Sequence, residues 1–155
     1  MPSYMEADQG PRSGLIHEDL AMPFARISLL KGKSADYIRA LSNGVHQAMV
    51  DEFDVPADDR FQVIHQHEPG ELVFDRNYLG GPRSDDYVLI CITAGKPRST
   101  AVKQAFYKRL VTLLEQSPGI RPQDVMVIIT TTQSEDWSFS GGEAWIRNVP
   151  APVAA

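Results

Sequence analysis

MPFARISLLKGKSADYIRALSNGVHQAMVDEFDVPADDRFQVIHQH, residues 22 to 67, changes its hydrophobic rhythm twice. Met22-Pro23 opens a strand-like run, Phe24 to Leu30, with Phe24, Ile27 and Leu29 apolar. Gly32-Lys33 interrupts that run. Ser34 then suits a helix N-cap, because its hydroxyl accepts an amide hydrogen that a helix start leaves unpaired. Ile38, Leu41, Val45, Met49 and Phe53 follow at three- and four-residue steps, which is one apolar face of a helix. Asn43-Gly44 falls inside this pattern and weakens it locally. Val55-Pro56 closes the helix, since proline disfavours helical backbone in the residue before it. Phe61 to His67 reads as a strand again. The whole stretch is a β-α-β unit.

The same order occurs a second time. Tyr87 to Thr93 is a β-branched strand and Gly95-Lys96-Pro97-Arg98 a turn. Ser99 caps a helix whose apolar face is Val102, Phe106, Leu110 and Leu113. Ser117-Pro118-Gly119 stops it, Ile120 to Asp124 connects, and Val125 to Thr132 is the closing strand. A period this long indicates a duplicated β-α-β unit rather than a solenoid. A helical crossover makes the two strands of each unit parallel, with a right-handed connection. Two such units predict an α/β fold of the α+β sandwich type: one four-stranded sheet with two helices on one face. The other face then needs cover, and a subunit partner is the expected source.

Between the units, Glu68-Pro69-Gly70-Glu71 is a turn signal and Leu72 to Phe74 reads as a short return strand. Asp75 to Asp86, rich in Gly, Pro, Asn and Asp, reads as loop. Residues 1–21 are polar, with Gly10-Pro11 and Gly14, and read as a flexible or non-native N-terminal extension. The domain is expected over 22–147, with a Pro- and Ala-rich tail at 148–155.

Composition narrows the function classes. The 155 residues are 43% hydrophobic and 23% charged, a globular balance, and the net charge is -5. No basic patch dominates, which argues against a nucleic-acid partner. Cys91 is the single cysteine; it excludes internal disulfides and Cys-rich zinc sites, and its apolar run suggests a buried filler. No segment approaches the roughly 20 apolar residues of a membrane span, and the N-terminus lacks a secretory pattern. The expectation is a cytoplasmic protein that does not bind membranes.

No GxSxG, P-loop, HExxH or GxGxxG motif is present. His65 and His67 share one face of a strand but lack an obvious third ligand, so no metal site is expected. His46, between core positions of the first helix, reads as a structural histidine. Lys96 and Arg98 put two cations at a strand end just before a helix N-terminus, a field that suits a small carboxylate; an exposed turn with solvated charges is the alternative. Asp58 and Asp59 precede a strand, where one could pair with Arg60, orient a water or tune a base. Trp137 and Phe139 lie in a Ser- and Gly-rich segment, where large aromatics complete a core or interface or wall a pocket.

Met22-Pro23-Phe24 at the start of a β-α-β unit resembles the opening of the tautomerase superfamily. Val55-Pro56, Asp59-Arg60-Phe61, Gln66-His67, Pro69-Gly70-Glu71-Leu72, Pro97-Arg98-Ser99, Phe106-Tyr107-Lys108 and Asp136-Trp137-Ser138-Phe139 resemble its malonate semialdehyde decarboxylase branch. The likeness runs from Pro23 to Trp145. It implies a homotrimer, no cofactor, and a pocket for a small oxo-acid beside an amino-terminal proline. It implies catalytic roles for Pro23 and Asp59 and substrate binding by Arg98, Trp137 and Phe139. Arg98 matches the second of the branch's two substrate-binding arginines, and Lys96 stands where the branch has the first, keeping the charge but not the planar fork. The implied activity is decarboxylation of a β-oxo acid or keto-enol tautomerisation.

One feature of the chain opposes that chemistry. Pro23 is internal, and an amide-bound proline nitrogen is neither a base nor an N–H acid. Activity is therefore expected only if Met22 is the working start or the extension is removed. Otherwise the expectation is a catalytically idle trimeric module that binds small carboxylates.

Overall fold

The computed structural model describes residues 23–145, so the extension 1–21, Met22 and the tail 148–155 lie outside the described residues. The order is β1 (Pro23–Leu30), α1 (Ala35–Phe53), β2 (Gln62–His67), β3 (Val88–Ala94), α2 (Thr100–Gln116) and β4 (Val125–Thr131). Short 3-10 turns precede β4 at Pro122–Asp124 and follow it at Ser134–Asp136. The strands form one sheet in the order β2-β1-β3-β4. β1 and β2 are parallel, β3 and β4 are parallel, and β1 meets β3 antiparallel. This is the duplicated unit read in the sequence, joined across β1 and β3.

Alternation divides each strand between two faces. Ala25, Ile27 and Leu29 of β1 and Val88, Ile90 and Ile92 of β3 are buried in one cluster with Leu41, Val45, Phe106, Leu110 and Leu114 of the helices. The helices cap as the sequence indicates: Ser34 accepts from the Tyr37 amide and Ser99 from the Val102 amide. Leu114, rather than Leu113, is the fully buried residue at the end of α2. Gly44 explains the break in the α1 pattern. A Cβ there would sit 2.7 Å from Leu114 Cδ2, so the glycine lets the two helices approach closely at this point. α1 stops two residues before the proline, at Asp54, whose backbone is left-handed (φ 54°) and whose N–H returns to the Met49 carbonyl.

Two sequence expectations are corrected. Leu72 to Phe74 forms no strand. Val73 is 87% exposed, and Phe74 instead stacks on Tyr87 with ring centroids 4.2 Å apart. The loop that follows is held by side chains: Asp75 accepts from the Asn77 and Tyr78 amides, and Arg83 donates to the Asp75, Tyr78 and Leu79 carbonyls. Cys91 is only half-buried, because its register places it opposite Arg26 on the face away from the helices. That face also carries Val63, His65, Leu89, Met126 and Ile128. Met126 and Ile128 are 41% and 46% exposed. No described helix is long and apolar enough to cross a membrane.

Candidate active site

The topology brings four chain segments to one end of the sheet. β1 and β2 start there, and β3 and β4 finish there, because each pair is parallel and the pairs run in opposite directions. Pro23 faces Ala94, which faces Thr131, while Ala25 faces Gln62. Pro23 at this end, Asp59 just before β2, Lys96 and Arg98 just after β3, and Trp137 and Phe139 just after β4 are therefore gathered from positions more than a hundred residues apart. Pro23 is buried, and as a first strand residue it loses nothing by lacking an N–H.

Arg98 is the most constrained of these side chains. Its guanidinium lies 4.2 Å above the Phe53 ring and donates to the Phe53 carbonyl at 3.2 Å and the Lys96 carbonyl at 3.0 Å. Burial pulls its pKa down, and Asp54 partly opposes that. A guanidinium does not deprotonate, so the group stays a half-buried cation, which an incoming anion would stabilise.

Asp59 is half-buried at the end of a tight turn, with its amide bonded to the Pro56 carbonyl at 3.0 Å. Burial raises its pKa above the ordinary carboxylate value; His46 lowers it and Asp58 raises it further. The result is a carboxyl that holds a proton more readily than a solvated one, as proton transfer near neutral pH requires. Its neighbour Arg60 does not pair with it. Arg60 bonds to Asn43 of α1 at 2.7 Å.

The aromatic segment is fixed by a relay. The Ala94 carbonyl accepts from the Thr132 amide at 2.8 Å and from its hydroxyl at 3.2 Å, and that hydroxyl accepts from Trp137 Nε1 at 2.7 Å. Trp137 stacks on Phe139 with centroids 5.6 Å apart; Phe61 and Trp145 pack against the same Phe139 ring. Phe139 keeps 42% of its surface exposed. Thr132, Phe61 and Trp145 were not candidates in the sequence. Thr132 looked like the last residue of a strand, and nothing local marks a hydroxyl as a bridge between two segments.

The other candidates lie elsewhere. His65 accepts from Arg26 at 3.2 Å and stacks near His67, ring centroids 6.1 Å apart, on the open face. Among the described residues no group of three or more His, Cys, Asp or Glu side chains could hold a metal. A groove of about 590 Å³ lies at the opposite end of the sheet, bounded by Val73, Tyr78, Leu79, Tyr87 and Met126, and contains none of the candidate residues.

Residues 59–140 match a family model described as a tautomerase enzyme, and residues 23–81 match a second model of the same description. The probable tautomerase YusQ of Bacillus subtilis strain 168 is 39% identical over 123 residues, 79% of this chain and 97% of that protein. A solved malonate semialdehyde decarboxylase, described with decarboxylase and hydratase activities, is 41% identical. It superposes with a TM-score of 0.73 over 77% of this chain and 92% of its own. A symmetric trimer of fused 4-OT shares the fold, with 14% identity and a TM-score of 0.66 over 80% of this chain and 97% of its own.

Proposed function

The chain belongs to the tautomerase family, and on that premise we propose that it acts on a small oxo-acid at the sheet end where Pro23, Asp59, Lys96 and Arg98 converge. The reaction is loss of carbon dioxide from a β-oxo acid, as in malonate semialdehyde, or keto-enol interconversion. The observation that carries this reading is the register: it puts a buried strand-initial proline at the same end as two cations and a carboxyl of raised pKa. Arg98 and Lys96 bind the acid, and the Trp137–Phe139 pair walls the site and excludes water.

With Pro23 as a free secondary amine, its proton state selects the chemistry. Lys96 and Arg98 favour the neutral amine and Asp59 the charged one. A protonated Pro23 hydrogen-bonds the carbonyl oxygen. The carboxylate–carbon bond breaks, its electron pair becomes an enolate held by that proton, carbon dioxide leaves, and protonation of carbon gives the aldehyde. A neutral Pro23 instead takes a proton from one atom of the substrate and returns it to another. A chain beginning at Pro23 turns over malonate semialdehyde or phenylpyruvate, and Pro23→Ala abolishes it. Unchanged rates in that variant would sink the reading.

A second reading follows from the amide bond that residues 1–22 impose on Pro23. The full-length chain then binds small oxo-acids without turning them over. Binding weakened by Arg98→Ala with no product supports it, whereas turnover by full-length protein of verified mass counts against it.

The assembly in this reading is a homotrimer. Its support is the open face, where the apolar side chains Val63, Met126 and Ile128 are exposed, together with the trimeric state described for fused 4-OT. An oligomer built on that face would hide side chains that a single chain leaves in water.

A further inference from the structure

α1 presents two polar side chains, Asn43 and His46, three residues apart and so on one side of the helix. Both reach the turn that follows the helix. The His46 Nε2 lies 2.9 Å from the Ala57 carbonyl, and Asn43 Oδ1 accepts from Arg60 at 2.7 Å. These two contacts bracket Asp59 on either side. A carbonyl only accepts, so Nε2 carries a hydrogen and donates it to Ala57. His46 is 4% exposed, and its Nδ1 is buried with no hydrogen-bond partner among the described residues. An imidazole buried with one nitrogen unsatisfied costs more than an apolar side chain of similar size would.

Val55 at the start of the turn is in the core, but Ala57 and Asp58 are exposed and Asp59 is half-buried, so the middle of the turn has little packing of its own. Besides the Arg60–Asn43 bond at its far end, Val55 bonds to the Met49 carbonyl at 3.3 Å, and Asp59 closes the turn on the Pro56 carbonyl at 3.0 Å. The histidine contact is what fixes the middle of the turn to the helix.

We infer that His46 is a positioning residue: through Ala57 it holds the turn that sets Asp59 against the substrate. The inference rests on the proposed role of Asp59. A displacement of about 1 Å in a reacting group can cost on the order of a hundred-fold in rate. Gln can place its amide nitrogen where Nε2 lies; Leu fills the volume without a donor.

The test uses a chain beginning at Pro23 and the oxo-acid it turns over. His46→Leu lowers kcat between about ten- and a hundred-fold with KM unchanged, because the cations that bind the acid are untouched, and His46→Gln restores kcat to within about three-fold. In an Asp59→Asn background His46→Leu costs nothing further. Equal losses from His46→Leu in both backgrounds, or no recovery with Gln, overturn the inference. Asp59→Asn with unchanged turnover overturns the role of Asp59 itself, a separate result. Amide hydrogen exchange gives an arm that needs no activity. Protection of the Asp59 amide falls in His46→Leu and is kept in His46→Gln; protection unchanged in His46→Leu refutes the inference.

Discussion

The Arg98 guanidinium is stacked on the Phe53 ring and bonded to the Phe53 carbonyl, so the last residue of α1 carries the cation that follows β3. His46 of the same helix carries the turn before β2. One helix thus sets both a candidate anion ligand and a candidate acid, which otherwise belong to different halves of the duplicated fold.

Arg98→Lys removes the planar group while keeping the charge. The stacking and carbonyl bonds are lost, and urea denaturation shows a decrease of about 1 kcal/mol. A bidentate contact to a carboxylate is lost as well, so KM for the oxo-acid rises at least about ten-fold. An unchanged KM would remove Arg98 from the substrate site.

Asp124 sits fully buried beneath the loop and receives the Ser84 amide and hydroxyl, each at 2.6 Å, and Arg121 at 3.3 Å. Burial alone would raise its pKa; the Ser84 and Arg121 bonds outweigh that and hold it below the ordinary value. A depressed carboxyl stabilises the fold above its unfolded pKa, about 3.9, and the contribution fades as pH falls through the lower folded value. Asp124→Asn is expected to lose about 2 kcal/mol at neutral pH. Its urea midpoint then varies less below about pH 4 than that of the parent.

Gly44→Ala improves intrinsic helix propensity but drives a methyl into Leu114, which is completely buried. Overpacking outweighs propensity here, and thermal unfolding should report a net loss of about 1 kcal/mol. Leu114→Val in the same chain makes room and recovers part of it. A Gly44→Ala chain more stable than its parent would mean that the helices separate at little cost.

Ile128→Asp places a charge in the middle of the open face, opposite Cys91. Sedimentation of a chain beginning at Pro23 should give a trimer, and the variant a folded monomer with native circular dichroism. A variant that still sediments as a trimer would locate the subunit contact elsewhere.

Much of this protein is legible along the chain because its controlling signals are local. Ser34 and Ser99 sit one residue before helices and cap them; the apolar steps from Ile38 to Phe53 define a face; β-branched runs at Tyr87 to Thr93 and Val125 to Thr132 mark β3 and β4 to within a residue at each end. The repeat of these signals is enough to give four strands, two helices and parallel pairing inside each unit. The likeness of Pro23, Asp59 and Arg98 to family positions is also carried by the letters themselves.

Long-range geometry decided the rest. That β1 meets β3 antiparallel, and so brings Pro23, Asp59, Arg98 and Trp137 to one end, depends on hydrogen bonds between residues far apart in sequence. Leu72 to Phe74 has the composition of a strand but pairs with neither edge strand, β2 or β4, and Phe74 instead stacks on Tyr87. Cys91 is half-buried because register, not local hydrophobicity, selects its face. His46 reads in the sequence as a structural histidine; its partner is a carbonyl eleven residues on, and only packing brings the two within 2.9 Å. Local propensity acts over a few residues, whereas the partners of buried polar groups are set by how the elements pack, which is why the fold could be read from the sequence and the support of its site could not.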